Sequence, residues 1–256
     1  MGLRMNKRLD VFDIYIKYPG IGDSLFYSHI PKLAKGLGYE RVRVHVPVAI
    51  FSQDKTDLIW RLNPFVDEVV ENSEGRNSVV GVRHGVPLLD SIAMDLGLSS
   101  KVQNFEPEIY YQPKNSYEGM VVYDGNFISG AGLINAELIR NRLEAEKELV
   151  CLRPLSDKYI SSGRCNDGYL SLNSLADYFD VLSSADRFYC VVSGGASLRP
   201  AFGKKSTVFY GVGQCAEHRH SQLNDYVDVS IKFWPGLEFL GAQLYRVFRK
   251  LQVNKT

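Results

Sequence analysis

Apolar positions along this chain switch repeatedly between a spacing of two and a spacing of about 3.6, the periods of strand and helix. Val11 to Tyr18 (VFDIYIKY) combines β-branched and aromatic residues and predicts a strand, broken by Pro19-Gly20-Ile21-Gly22. Leu25, Phe26, Ile30, Leu33, Ala34 and Leu37 then share one helical face, and Gly36 and Gly38 are placed to end that helix. A strand is predicted over 41–49, a helix over 52–62 stopped by Asn63-Pro64, and short strands over 66–70 and 78–82. A helix over 87–98 opens on a proline, which suits a first helical turn.

The stretch Tyr111 to Gly119 (YQPKNSYEG) is polar and carries proline and glycine, so it predicts a linker. The alternation then restarts. Strands are expected over 120–123, 149–152, 188–192, 206–210 and 226–231. Helices are expected over 133–147, over 174–185 with Ser171 or Asn173 near its cap, and over 194–202. A last helix is expected over 237–253, with Leu240, Leu244, Val247, Phe248 and Leu251 on one side. Packing against the protein is the first reading of that apolar side, and contact with a membrane surface the second. Repeated strand–helix units imply parallel sheets with helices on their faces. The expected fold class is therefore α/β, with two Rossmann-like domains over 1–113 and 119–256 facing a cleft. Ligands are expected at the carboxyl ends of the strands.

Composition narrows the function. The chain has 256 residues, 45% of them hydrophobic and 23% charged, which predicts packed cores. A formal net charge of +1 argues against a nucleic-acid partner, so any anion site must be local. Cys151, Cys165, Cys190 and Cys215 form no CxxC pair, which predicts reduced thiols, a cytoplasmic protein and no zinc site. The N-terminus lacks the apolar run of a signal peptide, and no stretch is long and apolar enough to span a membrane.

Three stretches carry chemistry. In Gly20-Ile21-Gly22-Asp23 the glycines let backbone approach a ligand, and the carboxylate is either a helix cap or a catalytic base. As a cap it would accept amide hydrogen bonds, which lower its pKa and weaken it as a base. In Val192-Ser193-Gly194-Gly195-Ala196-Ser197 a strand runs into small residues and a helix start, which suits a diphosphate or is simply a tight turn. Glu217-His218-Arg219-His220-Ser221 offers cations to offset phosphate charge, or is a solvated loop. Among lone residues, His29 reads as a partly buried core histidine. His84 follows a strand and is a candidate ligand contact. Asp124 either touches a sugar or makes an Asp-Gly turn.

Taken in order, these pieces resemble the two-domain GT-B glycosyltransferases, and among them the bacterial heptosyltransferase group (glycosyltransferase family 9), which builds the inner core of lipopolysaccharide. The resemblance rests on Gly22-Asp23-Ser24-Leu25 with Pro31 in the helix that follows, and on Asn63-Pro64-Phe65-Val66-Asp67-Glu68-Val69. Leu96-Gly97-Leu98 ahead of Pro107-Glu108-Ile109-Tyr110, and Asp177-Tyr178-Phe179 with Ala185-Asp186 before the glycine turn, complete it. It implies a compact GT-B enzyme in which Asp23 deprotonates the acceptor hydroxyl, with Gly22, Ser24 and His84 on the acceptor side. Ser193, Gly194, Gly195, Ala196, Ser197, His218, Arg219 and Asp124 would hold the donor. The implied partners are a nucleotide sugar and a glycan or glycolipid acceptor of lipopolysaccharide or capsule type. No cofactor and no metal are implied, and the location is the cytoplasm, with peripheral contact at the inner membrane as the alternative.

The chain departs from the family at the second-domain turn. Where the family carries Asp-Thr-Gly-Leu-x-His, this chain has Val192 for Asp, Ser193 for Thr, Gly195 for Leu and Ser197 for His. Two further readings stand beside the transferase. One is a nucleotide-sugar-binding protein without turnover, and the other a nucleotide-sugar epimerase. A nicotinamide-dinucleotide enzyme is disfavoured, because Gly20-x-Gly22 lacks the third glycine.

Overall fold

The computed structural model describes residues 9–18, 20–47, 52–71, 83–127, 132–155, 160–161, 168–212 and 221–231. The chain divides into two compact units, Met1–Gln112 and Pro113–Thr256. The strand expected over 78–82 and the helix expected over 237–253 lie outside the described residues.

In the first unit, β1 (Leu9–Tyr15), β2 (Tyr39–Val46) and β3 (Glu68–Glu71) form a parallel sheet in that order. Val42, Val44 and Val46 point into the core with Ile14 and Ile16. The alternate positions are polar, which is unusual for a parallel sheet. There the register sets Asp13 beside Arg43 and Tyr15 beside His45. His45 Nε2 lies 2.8 Å from Asp13 Oδ1, its ring stacks on Tyr15, and Arg43 Nε donates to Glu68 Oε2 at 2.9 Å.

One helix was expected after β1, and there are two: α1 (Ile21–Leu25) and α2 (Ile30–Gly36). Pro31, near the start of α2, has no N–H to continue a helical ladder. The chain tightens there, with Tyr27 N donating to Ser24 O, Ser28 N to Leu25 O and Ile30 N to Tyr27 O. The helix expected over 52–62 is α3 (Ser52–Lys55) running into a π-helical turn, Thr56–Arg61, which buries Ile59 and Trp60. Asn63 is 2% exposed, and its Nδ2 donates to Ser28 O at 3.3 Å, fixing this segment to the corner between α1 and α2. The helix α4 (Leu88–Asp95) ends at Gly97, whose positive φ of 72° permits the cap. Asp90, buried on α4, accepts the amides of Gln103, Asn104 and Phe105 and holds the following loop in place.

The second unit is built on six parallel strands: β4 (Val121–Asp124), β6 (Leu149–Leu152), β8 (Tyr169–Leu170), β9 (Arg187–Val191), β10 (Ser206–Tyr210) and β11 (Asn224–Asp228). A separate antiparallel pair joins β5 (Asn126–Phe127) to β7 (Ile160–Ser161). The spatial order of the six is β11-β10-β9-β4-β6-β8. The chain starts at β4, builds outward through β6 and β8, then returns to the other side of β4 for β9, β10 and β11. This is the doubly wound order, and its direction reverses between β4 and β9. Val121, Tyr123, Leu149, Cys151, Val191 and Phe209 pack with Ile139 and Leu143 of α5 (Ala136–Leu143) into one core. Each fully buried aliphatic side chain there contributes roughly 1.5–3 kcal/mol.

Two expectations are corrected in this unit. The helix expected from Leu133 begins at Ala136 instead. Leu133 and Ile134 bridge to Val212 and Ser230, and Asn135 caps α5 through the amides of Glu137 and Leu138. The helix α6 (Leu175–Ser184) is capped by Ser174, in a reciprocal capping box with Asp177. The expected linker is docked along α6. The amides of Lys114 and Asn115 donate to Asp180, that of Tyr117 to Ser184 Oγ, and that of Gly119 to Asp186.

Candidate active site

Asp23 sits in the first turn of α1, three residues after the N-cap Gly20. The backbone of β1 delivers the chain to this point, and the absence of a side chain at Gly20 lets the carboxylate fold back over it. A Cβ added at Gly20 would lie 2.4 Å from Asp23 Oδ2. Burial raises the Asp23 pKa, against the lowering effects of the Gly20 backbone hydrogen bond and the Lys55 charge. The direction matters, because a capping carboxylate was expected to have a lowered pKa. Here desolvation outweighs the amide and the cation, which makes Asp23 a stronger proton acceptor once ionised. Ser24, beside it, is fully buried, and its Oγ has no hydrogen-bond partner among the described residues.

Lys55, at the end of α3, is only 1% exposed. Burial lowers its pKa and the charge of Asp23 raises it. Sequence reasoning passed over Lys55, since lysines are read as solvated by default. The available signal was its place four residues before Ile59, on the face of the segment that turns inward.

His84 is exposed in the turn ahead of α4. His29 is 2% exposed, packs on Phe105 with ring centroids 5.1 Å apart, and is held neutral by burial, its pKa lowered to about 3. It is a core residue, in keeping with its expected role.

In the second unit the glycine turn falls at the carboxyl end of β9, beside the carboxyl end of β4, at the point where the strand order reverses. Open α/β sheets bind ligands at this place. The helix α7 (Gly195–Ala201) starts there, with Ala196 N bonded to Ser193 O and both Ser197 N and Leu198 N bonded to Gly194 O. Gly195 must be glycine, because a Cβ there would meet the Tyr178 hydroxyl at 2.7 Å and the Phe188 ring at 3.1 Å. Ser193, Gly194 and Val192 are partly exposed, whereas Gly195, Ala196 and Ser197 are buried.

Asp124 lies beneath this turn, 3% exposed. Its Oδ2 accepts the Tyr178 hydroxyl at 2.6 Å, and its Oδ1 accepts the Asn126 amide at 3.0 Å and Asn126 Nδ2 at 2.8 Å. The bond from the Asn126 backbone amide closes the Asp-Gly turn. The suggested sugar contact is corrected, because both oxygens are engaged inside the protein and shielded from solvent. Burial raises the Asp124 pKa against these hydrogen bonds. Tyr178 therefore links the end of β4 to the underside of the glycine turn.

The carboxyl ends of β10 and β11 are covered by the chain itself. Gly132 and Gly211 approach so closely that a Cβ on Gly132 would lie 2.6 Å from Gly211 O, and the following residues bridge both strands. His218 and Arg219 lie outside the described residues. Cys190 is a free buried thiol, while Cys151 is disulfide-bonded, which corrects the expectation of reduced thiols for that residue. Among the described residues no group of three or more His, Cys, Asp or Glu is placed to hold a metal ion, and no helix is long and apolar enough to cross a membrane.

No protein-family model matches the chain, and no curated protein matches it in sequence. Solved structures share its fold. The iron-containing dodecameric glycosyltransferase TibC from enterotoxigenic E. coli H10407 aligns with a TM-score of 0.61 over 99% of this chain and 77% of that one, at 13% identity. A glycosyl transferase of family 9 from Veillonella parvula DSM 2008 aligns with a TM-score of 0.60 over 98% of this chain and 99% of that one, at 9% identity. The chain has the fold of a family 9 glycosyltransferase. TibC has also been crystallised with ADP-D-β-D-heptose, and that structure aligns with a TM-score of 0.57.

Proposed function

We propose that this protein is an inverting, metal-independent glycosyltransferase. It moves a sugar from a nucleotide-sugar donor to a hydroxyl of a bacterial surface glycan or glycolipid, of lipopolysaccharide or capsule type. The observation that carries the reading is Asp23: a carboxylate at the mouth of the first helix, with its pKa raised by burial, in a chain of this fold. In this reading the two domains face one another across a cleft, the first holding the acceptor and the second the donor. Asp23 takes the proton of the acceptor hydroxyl as its oxygen bonds to the anomeric carbon. The bond from that carbon to the diphosphate breaks, and the nucleoside diphosphate leaves with the electron pair. Gly22 and His84 lie on the acceptor side, with Ser24 buried behind them. The amides of Ser193 and Gly194, with His218 and Arg219, offset the charge of the leaving diphosphate. The protein works in the cytoplasm or at the inner face of the membrane.

A thermal-shift screen of nucleoside diphosphates and nucleotide sugars, beginning with ADP and ADP-heptose, tests donor binding. A ligand present at about 100 times its Kd adds roughly 2.7 kcal/mol of stability. The gain should vanish in Gly194→Val. Turnover, followed as diphosphate release with a panel of glycan acceptors, should persist in EDTA and disappear in Asp23→Ala. A second reading, binding without turnover, is favoured by Ser197, fully buried where the family has a histidine. Tight donor binding with no release across the acceptor panel would select it.

A further inference from the structure

Tyr178 is the fourth residue of α6, whose start is fixed by the Ser174–Asp177 capping box. Its side chain is buried and reaches the end of β4 and the turn after β9, where the strand order reverses. The hydroxyl donates to Asp124 Oδ2 at 2.6 Å. Asp124 Oδ1 is held in turn by the amide and the side chain of Asn126. Asn126 Nδ2 also donates to Leu152 O at 3.0 Å, at the end of β6. The hydroxyl is therefore anchored to the ends of two strands. Its proton is committed to Asp124, and its oxygen lies so near Gly195 that a Cβ there would be 2.7 Å away. The Phe188 ring, 3.1 Å from the same point, completes the floor. Ser193 and Gly194, just ahead of Gly195, are partly exposed. A shift of Gly195 moves their amides, and hydrogen bonds weaken steeply with distance and angle.

We propose that Tyr178 is a positioning residue of the donor site: its hydroxyl, held by Asp124, is the floor under Gly195 that sets where Ser193 and Gly194 meet the donor diphosphate. The proposal rests on the reading that this turn holds the diphosphate. Tyr178 is buried and acts through Gly195, without touching the donor.

The experiment is calorimetric titration of the full chain with ADP, UDP, GDP and CDP, at a temperature where the variants are folded. The diphosphate that wild type binds most tightly is then titrated into Tyr178→Phe, Gly195→Ala and Tyr189→Phe. In Tyr178→Phe its Kd should rise about tenfold or more, the loss of roughly one hydrogen bond to a charged group. Gly195→Ala, which puts a methyl group against the floor, should weaken binding by a similar factor. Tyr189→Phe is the control. It removes a hydroxyl that bonds Glu146, ahead of β6, so it should lower the melting temperature and leave Kd unchanged. A folded Tyr178→Phe protein that binds as tightly as wild type overturns the proposal, whatever its melting temperature. Equal weakening in Tyr189→Phe overturns it too, since the loss of any core hydroxyl would then suffice. If Tyr178→Phe does not fold, wild-type affinity in Gly195→Ala overturns the proposal. Wild-type protein that binds none of the four loses the donor reading itself, and the proposal falls with it. That result is distinct from wild-type binding that ignores the hydroxyl. In turnover, Tyr178→Phe should raise the donor KM and leave the acceptor KM unchanged, whereas a merely structural tyrosine would move neither.

Discussion

Asp23 and Asp124 invite comparison. Asp124 ends a parallel strand and Asp23 opens the helix that follows one, and in each burial raises the pKa. Their surroundings differ. Asp124 is enclosed, with a tyrosine hydroxyl and an asparagine donating to its two oxygens. Asp23 is partly exposed, is folded over a glycine, and feels the positive charge of Lys55. Neutral donors bonded to both oxygens inside the protein make a carboxyl a structural strut. A nearby positive charge and partial access to solvent leave a carboxylate able to exchange a proton. Burial by itself does not separate the two roles, whereas the chemistry of the partners does.

The largest effect that tests this contrast is on turnover. Asp23→Asn should lower kcat by roughly 10²–10⁴-fold, the usual contribution of a positioned general base. Its melting temperature should stay close to wild type. Asp124→Ala should do the reverse: a loss of about 3 kcal/mol in denaturant unfolding, since the Tyr178 hydroxyl and the Asn126 donors would be left buried and unpaired. Asp124→Asn keeps an acceptor and removes a charge that is disfavoured where it sits, so it should lose less than about 1 kcal/mol. If Asp124→Asn abolished donor binding while remaining fully stable, Asp124 would regain a role as a ligand.

The strands were largely legible in the sequence. Leu149–Leu152 and Ser206–Tyr210 are short apolar runs that suit little else, and their order follows from strand–helix alternation. The break between α1 and α2 was written in Pro31 but was overridden by an apolar face that continues across it. The glycine turn was legible as a turn, though not its floor, because Tyr178 reaches Asp124 across 54 residues of sequence. Lys55 was illegible for a related reason. The burial of a lysine depends on what packs over it, and its own segment does not show that. Asn63 and Asp67 were read as family signature, and in the fold they are fasteners: Asn63 on Ser28 O, and Asp67 accepting the Val42 amide at 2.6 Å.

A smaller effect comes from His29, which shows what burial does when no opposite charge among the described residues answers it. Its folded pKa of about 3 lies below the ordinary 6.5, so the unfolded chain binds the extra proton first as pH falls. Its stabilising contribution is complete above pH 6.5 and is lost below it, at about 1.4 kcal/mol per pH unit, until pH approaches 3. Unfolding midpoints measured between pH 7 and pH 4.5 should fall along this slope. The slope should flatten in His29→Gln, and an unchanged slope would mean that the carboxylates govern the acid limb.

The smallest effect sharpens the comparison most, because it places the same methyl group under each carboxylate's turn. At Gly195 an added Cβ meets the Tyr178 hydroxyl and the Phe188 ring, both packed in the core. Gly195→Ala should therefore cost about 1–3 kcal/mol of stability, as overpacking does. At Gly20 the Cβ meets only the Asp23 carboxylate, the end of a side chain that can rotate away, and the backbone there, φ −68° and ψ 156°, suits alanine. Gly20→Ala should then leave the unfolding midpoint nearly unchanged and slow turnover by about tenfold, equivalent to about 1.4 kcal/mol of barrier, as the carboxylate swings from its seat. If Gly20→Ala instead destabilised the protein as much as Gly195→Ala, the Asp23 turn would be a strut like the other, and the distinction between the two carboxylates would fail.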